Sequence, residues 1–158
     1  MRTAAPTIRL ATPDEAQSIA AMSRDWIEHG LGWSWTAARV TQAIGDASTN
    51  VAVLEKDDRL DGFGIMQYRD DGAAHLVLLA IAPVLRHQGR GGQMLLWLEQ
   101  SAQVAGSNEI RLECRADNRN AIAFYRHLGY CQVGTVGGYY ESRVDAVQLR
   151  KCHARASQ

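Results

Sequence analysis

The stretch from His75 to Ala102 reads "HLVLLAIAPVLRHQGRGGQMLLWLEQSA". The apolar run before Pro83 does not alternate, which predicts a strand buried on both faces. The run after Gly92 predicts a helix, because Gly91, Leu95, Leu98, Ala102 and Ala105 recur at 4-3-4-3 spacing on one stripe. Between the two stand Arg86, His87, Gln88, Gly89, Arg90, Gly91 and Gly92. A strand that passes through glycines into a helix leaves the first backbone N–H groups of that helix without partners. The helix dipole makes the same end positive, and glycines let a phosphate approach the backbone, so the segment predicts an anion cradle. Arg86, His87 and Arg90 add charge at its rim. A tight turn with surface arginines has the same sequence signature, so the loop alone leaves both readings open. Two familiar phosphate loops are excluded: the chain has no Gly-Lys pair, and Met94 stands where a dinucleotide fingerprint needs glycine.

Working outward, "TIRLA" (7–11) predicts a short strand. "TPDEAQSIAAMSRDWIEHG" predicts a helix with Thr12 as N-cap, Pro13 at the first position, Glu15 closing a capping box and Gly30 as the stop. A second helix is expected from about Thr36 to Ile44. "NVAVLEK" and "LDGFGIMQYR" flank a turn at Asp57 to Arg59 and predict a hairpin. "EIRLECR" (109–115) alternates as a strand does, and "NRNAIAFYRHLG" predicts a helix capped by Asn118 and ended by Gly129. "YCQVGTV" and "DAVQLRKC" predict a closing hairpin. The order β-α-α-β-β-β-α-β-α-β-β defines one mixed α/β domain over residues 1–153 with a short polar tail at 154–158.

The 158 residues suffice for a core without metal or disulfide staples. Seventeen basic residues balance seventeen acidic ones, which argues against a polyanion such as nucleic acid as the main partner. Arg111, Arg115, Arg119 and Arg126 are dispersed over a strand and a helix rather than gathered in one patch. Only Lys56 and Lys151 are lysines, and the remaining basic residues are arginines, suited to forked phosphate contacts. No signal peptide is read at the N-terminus. The longest apolar run, Leu76 to Leu85, is about half a membrane span, so no membrane association is expected. Cys114, Cys131 and Cys152 show no CxxC spacing and are expected to be reduced, mostly structural thiols of a cytoplasmic protein. Five histidines without paired spacing predict no metal site.

"R-H-Q-G-R-G", Arg86 to Gly91, resembles the R/Q-x-x-G-x-G/A loop of the GNAT superfamily of acetyl-CoA-dependent N-acetyltransferases, whose element order also matches nearly the whole chain. The resemblance implies a GNAT-like fold with a central sheet of six to seven strands and helices on both faces. It further implies that Arg86 to Gly92 wrap the pyrophosphate of coenzyme A. Leu79, Ala80 and Ile81 would offer backbone hydrogen bonds to the pantetheine arm, lying between splayed strands.

A second constellation is "RLECRADNRNAIAFYRHLGY", Arg111 to Tyr130. On the strand, Arg111, Glu113 and Arg115 share one face, opposite Ile110, Leu112 and Cys114. Glu113 between two arginines is expected to stay ionised and to accept a proton, or else to belong to a surface charge ladder. Tyr125 reads either as a core tyrosine or as a proton donor. Acetyl transfer to an amine needs that amine deprotonated and the departing thiolate stabilised. A thiol near about 8.5 and a phenol near about 10 are close enough in pKa to share a proton.

The segment is similar to the RimI-type branch, which acetylates the N-terminal alanine of a ribosomal protein and carries L-E-V-R-x-x-N-x-x-A-I-x-x-Y. That resemblance implies Glu113 as proton acceptor, Tyr125 as proton donor and Asn118 as a further coenzyme A contact. It also implies Tyr139 and Tyr140 at the acceptor site. "WIEHGLGWSWTAARV" (26–40) departs from the branch, and Trp26, Trp33 and Trp35 either clamp a substrate or pack the helix pair. The acceptor is accordingly a peptide N-terminus or a small amine. A small amine would call for an added carboxylate, with Asp25 and Glu28 as candidates. A non-catalytic acyl-CoA-binding module is the competing function, and the assembly state is expected to be monomer or homodimer. Cys114 is expected to pack rather than react.

Overall fold

The computed structural model describes residues 5–29, 32–140 and 144–152, with backbone alone at 138–140 and 144. The elements in order are β1 (Thr7–Leu10), α1 (Ala16–Trp26), α2 (Ala37–Gly45), β2 (Thr49–Lys56), β3 (Arg59–Tyr68), β4 (Ala73–Ile81), α3 (Arg90–Val104), β5 (Glu109–Arg115), α4 (Arg119–His127), β6 (Cys131–Tyr140) and β7 (Val144–Cys152). Single 3₁₀ turns at Pro13–Glu15 and Pro83–Leu85 precede α1 and α3. The strands form a mixed seven-stranded sheet in the order β1-β2-β3-β4-β5-β7-β6. The expected α/β element order is therefore the observed one.

The chain divides into two compact units, Met1–Gln67 with Val77–Ser101, and Tyr68–Leu76 with Ala102–Gln158. In the first, β2 and β3 meet through a two-residue turn whose Asp57 and Asp58 have φ of 53° and 60°. Two successive left-handed residues make the turn whose twist matches the flanking strands. Ile19, Val40, Val51, Val53, Phe63 and Ile65 are fully or almost fully buried and form its core. In the second unit β7 pairs antiparallel with both β5 and β6, and Ile110, Leu112 and Leu149 fill its interior.

Local chemistry explains where the elements start and stop. Thr12 N–H donates to Glu15 Oε1 at 2.9 Å, one arm of the expected capping box, and Arg9 holds the same carboxylate from β1. That arginine draws the Glu15 pKa down to about 2. The helix α1 ends at Trp26, earlier than expected, and Gly30 lies outside the described residues. Beyond the helix end, Glu28 folds inward. Its carboxylate accepts hydrogen bonds from Ser34 N–H and Oγ–H at 2.7 Å each, from Ser23 Oγ–H at 2.8 Å and from Trp35 N–H at 3.2 Å.

Burial raises the pKa of Glu28, but those donors outweigh it and leave the group below its ordinary value. A lowered native pKa stabilises the fold above the unfolded value of about 4.3, and the contribution disappears as pH falls through the native value. Glu28→Gln should cost about 2 kcal/mol at neutral pH, because an amide NH₂ then faces donors. Urea unfolding curves should show that gap narrowing below about pH 4, where wild type loses the same carboxylate.

Two expectations on helix and strand faces need correction. In α3, Leu95, Leu98 and Ala102 are buried as expected, but Met94 joins them and Ala105 lies past the helix end, exposed. Gly106, at φ 92°, closes the helix as Ser107 N–H returns to Ala102 O at 2.9 Å. In β4, His75 and Val77 to Leu79 are half-buried rather than buried on both faces. Its parallel register with β5 covers three pairs, Ala73↔Glu109, Ala74↔Ile110 and His75↔Arg111.

Candidate active site

The glycine loop folds as a turn aimed at an open helix end. After the 3₁₀ turn, His87 and Gly89 adopt φ of 65° and 80°. Gln93 N–H then donates to Gly89 O at 3.0 Å as the first helical bond. The N–H groups of Arg90, Gly91 and Gly92 precede that bond and have no acceptor within the helix. A Cβ built at Gly89 or Gly92 would meet nothing within 4 Å, so the space beside these residues is free for a ligand. Arg86 Nε donates to Ile81 O at 3.2 Å, tying the loop to the end of β4. Leu79, Ala80 and Ile81 form that strand end. This arrangement fits a pyrophosphate: free backbone donors, a helix N-terminus, arginines at the rim and no side chain in the way.

Glu113 lies in the second unit. On β5, Ile110, Leu112 and Cys114 point inward, while Glu113 on the opposite face is half-buried. The two arginines expected to flank it are engaged elsewhere. Arg111 donates to Glu109 at 2.9 Å and to Asp71 at 2.8 Å. Arg115 donates to Asp117 at 3.0 and 3.1 Å. Each guanidinium takes a nearer carboxylate, two residues away on its own chain in both cases. The side chain beside Glu113 is His75 of β4, whose Nε2 lies 2.6 Å from Glu113 Oε2. The approach is close but falls outside hydrogen-bond geometry. Oε2 is thus a buried side-chain oxygen without a hydrogen-bond donor among the described residues. On the far side of the imidazole, Arg69 Nη2 is 2.9 Å from Nδ1.

His75 and Glu113 line a cavity of about 690 Å³ together with Arg69, Asp71, Gln148 and Arg150. His75 was not anticipated. Its one sequence signal is being the sole titratable side chain in "AAHLVLLAIAP", and its pairing with β5 depends on a register that periodicity does not reveal.

The remaining candidates fall as follows. Asn118 caps α4, its Oδ1 accepting from Ala121 N–H at 3.1 Å, which leaves the amide NH₂ for other partners. Tyr125 is half-buried on α4, with its ring edge-on to Phe124 and Tyr130 at 5.1 and 5.6 Å. Trp35 is 5% exposed, carries Arg39 over its ring at 3.9 Å and packs in the core of the first unit. Trp33 is 43% exposed with Arg24 at 5.5 Å. The side chains of Tyr139 and Tyr140 lie outside the described ones.

Glu28 is buried and accepts from four donors, and Asp25 is exposed and paired with Arg24. Burial pushes the Cys114 thiol up, whereas Cys131 and Cys152 are exposed, contrary to the expectation of mostly structural thiols. Among the described residues no cluster of three metal-ligating side chains occurs, and no helix is long and apolar enough to cross a membrane.

Residues 18–130, more than half of the chain, match the Acetyltransferase (GNAT) family, and the chain belongs to that family. It is 35% identical over 100 residues to an uncharacterised N-acetyltransferase of Methanocaldococcus jannaschii, a match covering 63% of this chain and 64% of that one, under two thirds of its length. It is 30% identical over 122 residues to the [ribosomal protein bS18]-alanine N-acetyltransferase of Escherichia coli, covering 75% of this chain and 80% of the relative. The crystal structure of the ribosomal-protein-S18-alanine N-acetyltransferase from Escherichia coli superposes with a TM-score of 0.84 at 24% identity, covering 98% of this chain and 97% of that one. The PaiA N-acetyltransferase of Thermoplasma acidophilum, solved in complex with coenzyme A, superposes with a TM-score of 0.82 at 18% identity, covering 95% and 100%. These structures share the fold of this chain.

Proposed function

We propose that this chain transfers the acetyl group of acetyl-CoA to the amino terminus of a peptide or protein by direct attack. The observation that carries the reading is the Glu113 carboxylate on the wall of an open cavity, with one of its oxygens, Oε2, buried and without a hydrogen-bond donor among the described residues. An acceptor ammonium reaching the carboxylate from the cavity gives up its proton to it.

Arg86 to Gly92 hold the pyrophosphate and Asn118 adds a contact through its free amide. When bound, acetyl-CoA supplies the acetyl thioester. With its proton on Glu113, the amine nitrogen bonds to the acetyl carbon as the carbon–sulfur bond breaks, and the Tyr125 hydroxyl donates to the departing sulfur. The extra proton left on the nitrogen passes through water to the Tyr125 phenolate, and water carries the proton on Glu113 to solvent. A peptide acceptor is favoured over a small polyamine because the carboxylates a polyamine would need, Glu28 and Asp25, are already engaged.

Thiol release from acetyl-CoA tests the reading, with peptides bearing free or blocked N-termini, polyamines, single amino acids and aminoglycosides as acceptors. Turnover should require a free peptide N-terminus, and turnover with small amines alone would overturn the peptide assignment. In the same assay Tyr125→Phe should lower kcat about tenfold or more while leaving the KM for acetyl-CoA near its wild-type value. Equal losses in both would remove Tyr125 from the leaving-group role.

A further inference from the structure

Resting on the reading of Glu113 as proton acceptor, we propose that His75 is a positioning residue. Arg69 locks its imidazole in the Nε2–H tautomer, and the ring holds the Glu113 carboxylate against the cavity without receiving the proton. A guanidinium has donors and no acceptor, so Arg69 Nη2 at 2.9 Å from Nδ1 requires Nδ1 to accept. The ring proton then sits on Nε2, the atom 2.6 Å from Glu113 Oε2.

Both ring nitrogens are therefore occupied. Nε2 already carries hydrogen, and Nδ1 can take a proton only by displacing Arg69. The proton that Glu113 removes from an acceptor returns to solvent through the cavity, not through the imidazole. The arrangement follows from register. His75 stands opposite Arg111 in the parallel β4–β5 pair, one step along β5 from Glu113 on the same face. Arg111 itself is taken by Glu109 and Asp71, and His75 is the side chain beside Glu113 in the cavity wall.

Two measurements test this, the first independent of activity. Two-bond ¹H–¹⁵N spectra of the labelled protein, with His75 assigned by the signal lost in His75→Gln, should show Nε2 protonated and Nδ1 unprotonated. Arg69→Leu should move the pattern toward a mixture of tautomers. A wild-type Nδ1–H tautomer, or no change in Arg69→Leu, overturns the lock even if none of the acceptors tried is turned over.

The second is kinetic. His75→Leu should lower kcat about tenfold or more with the KM for acetyl-CoA unchanged. His75→Gln should recover most of that loss, because a glutamine amide can place an N–H group beside Glu113 where the ring N–H now stands. A His75→Gln variant as slow as His75→Leu, with both folded by circular dichroism, shows that the ring moves the proton and overturns the positioning role.

Discussion

Glu113→Gln should lower kcat by about 100-fold at neutral pH, within the range that general base catalysis contributes. The amide keeps the shape of the side chain and an oxygen that accepts hydrogen bonds, but it cannot take a proton. The deficit should be largest at low pH, where a peptide α-amine is protonated. It should shrink above about pH 8, where that amine loses its proton unaided. Profiles of kcat from pH 6 to 9.5 check this, and the KM for acetyl-CoA should not move, since the loop proposed to bind it is built from other residues. A variant with the wild-type profile would reduce Glu113 to a structural carboxylate. The experiment is clean because Arg111 and Arg115 already have carboxylate partners, so neutralising Glu113 strands neither guanidinium.

Gly62→Ala carries the largest expected cost to folding. A Cβ at this point in β3 would lie 2.8 Å from Ala80 O and 2.6 Å from Ile81 Cδ1. The isoleucine methyl can rotate away, but the carbonyl is part of the β4 backbone and moves only with the strand. Overpacking of this kind costs about 2–3 kcal/mol. At about 2–4 °C per kcal/mol for a chain of this size, the melting temperature should drop by roughly 5–10 °C. Gly64→Ala is the control. Its added carbon would meet Leu98 Cδ1 at 2.7 Å, the far end of a flexible side chain, so its melting temperature should fall by less. Equal losses at the two positions would show that β4 yields as easily as a leucine tip. The Gly62 contact also bears on function, since Ala80 and Ile81 sit where the resemblance places the pantetheine arm.

Much of this architecture was legible because it rests on local rules. Period-two and period-3.6 patterns located the strands and helices, and the glycines of 89–92 marked the helix end that now stands open. The capping residues Thr12 and Asn118 were visible for the same reason, since a cap is made within a few residues. Glu113 was found on the correct face by alternation alone.

What was not legible depends on register and on competition. The neighbour of Glu113 is set by how β4 aligns with β5, and an apolar run gives no reason to single out His75. The arginines at 111 and 115 looked like partners for Glu113 because they share its face, yet Glu109, Asp71 and Asp117 capture them first. Glu28 looked like a free carboxylate because its four donors are made by residues up to seven positions away, contacts that helical periodicity does not encode.

The three cysteines give the molecule an internal gauge of its own integrity. Cys131 and Cys152 are exposed, while Cys114 is 8% exposed with its thiol held in the less reactive protonated form by burial. A chromogenic disulfide added to the folded protein should consume two equivalents promptly, before any substrate is present, and a third only as the native state opens. The rate of that slow third equivalent therefore measures how readily the native state opens. It also sets the background to subtract when the same reagent follows catalysis.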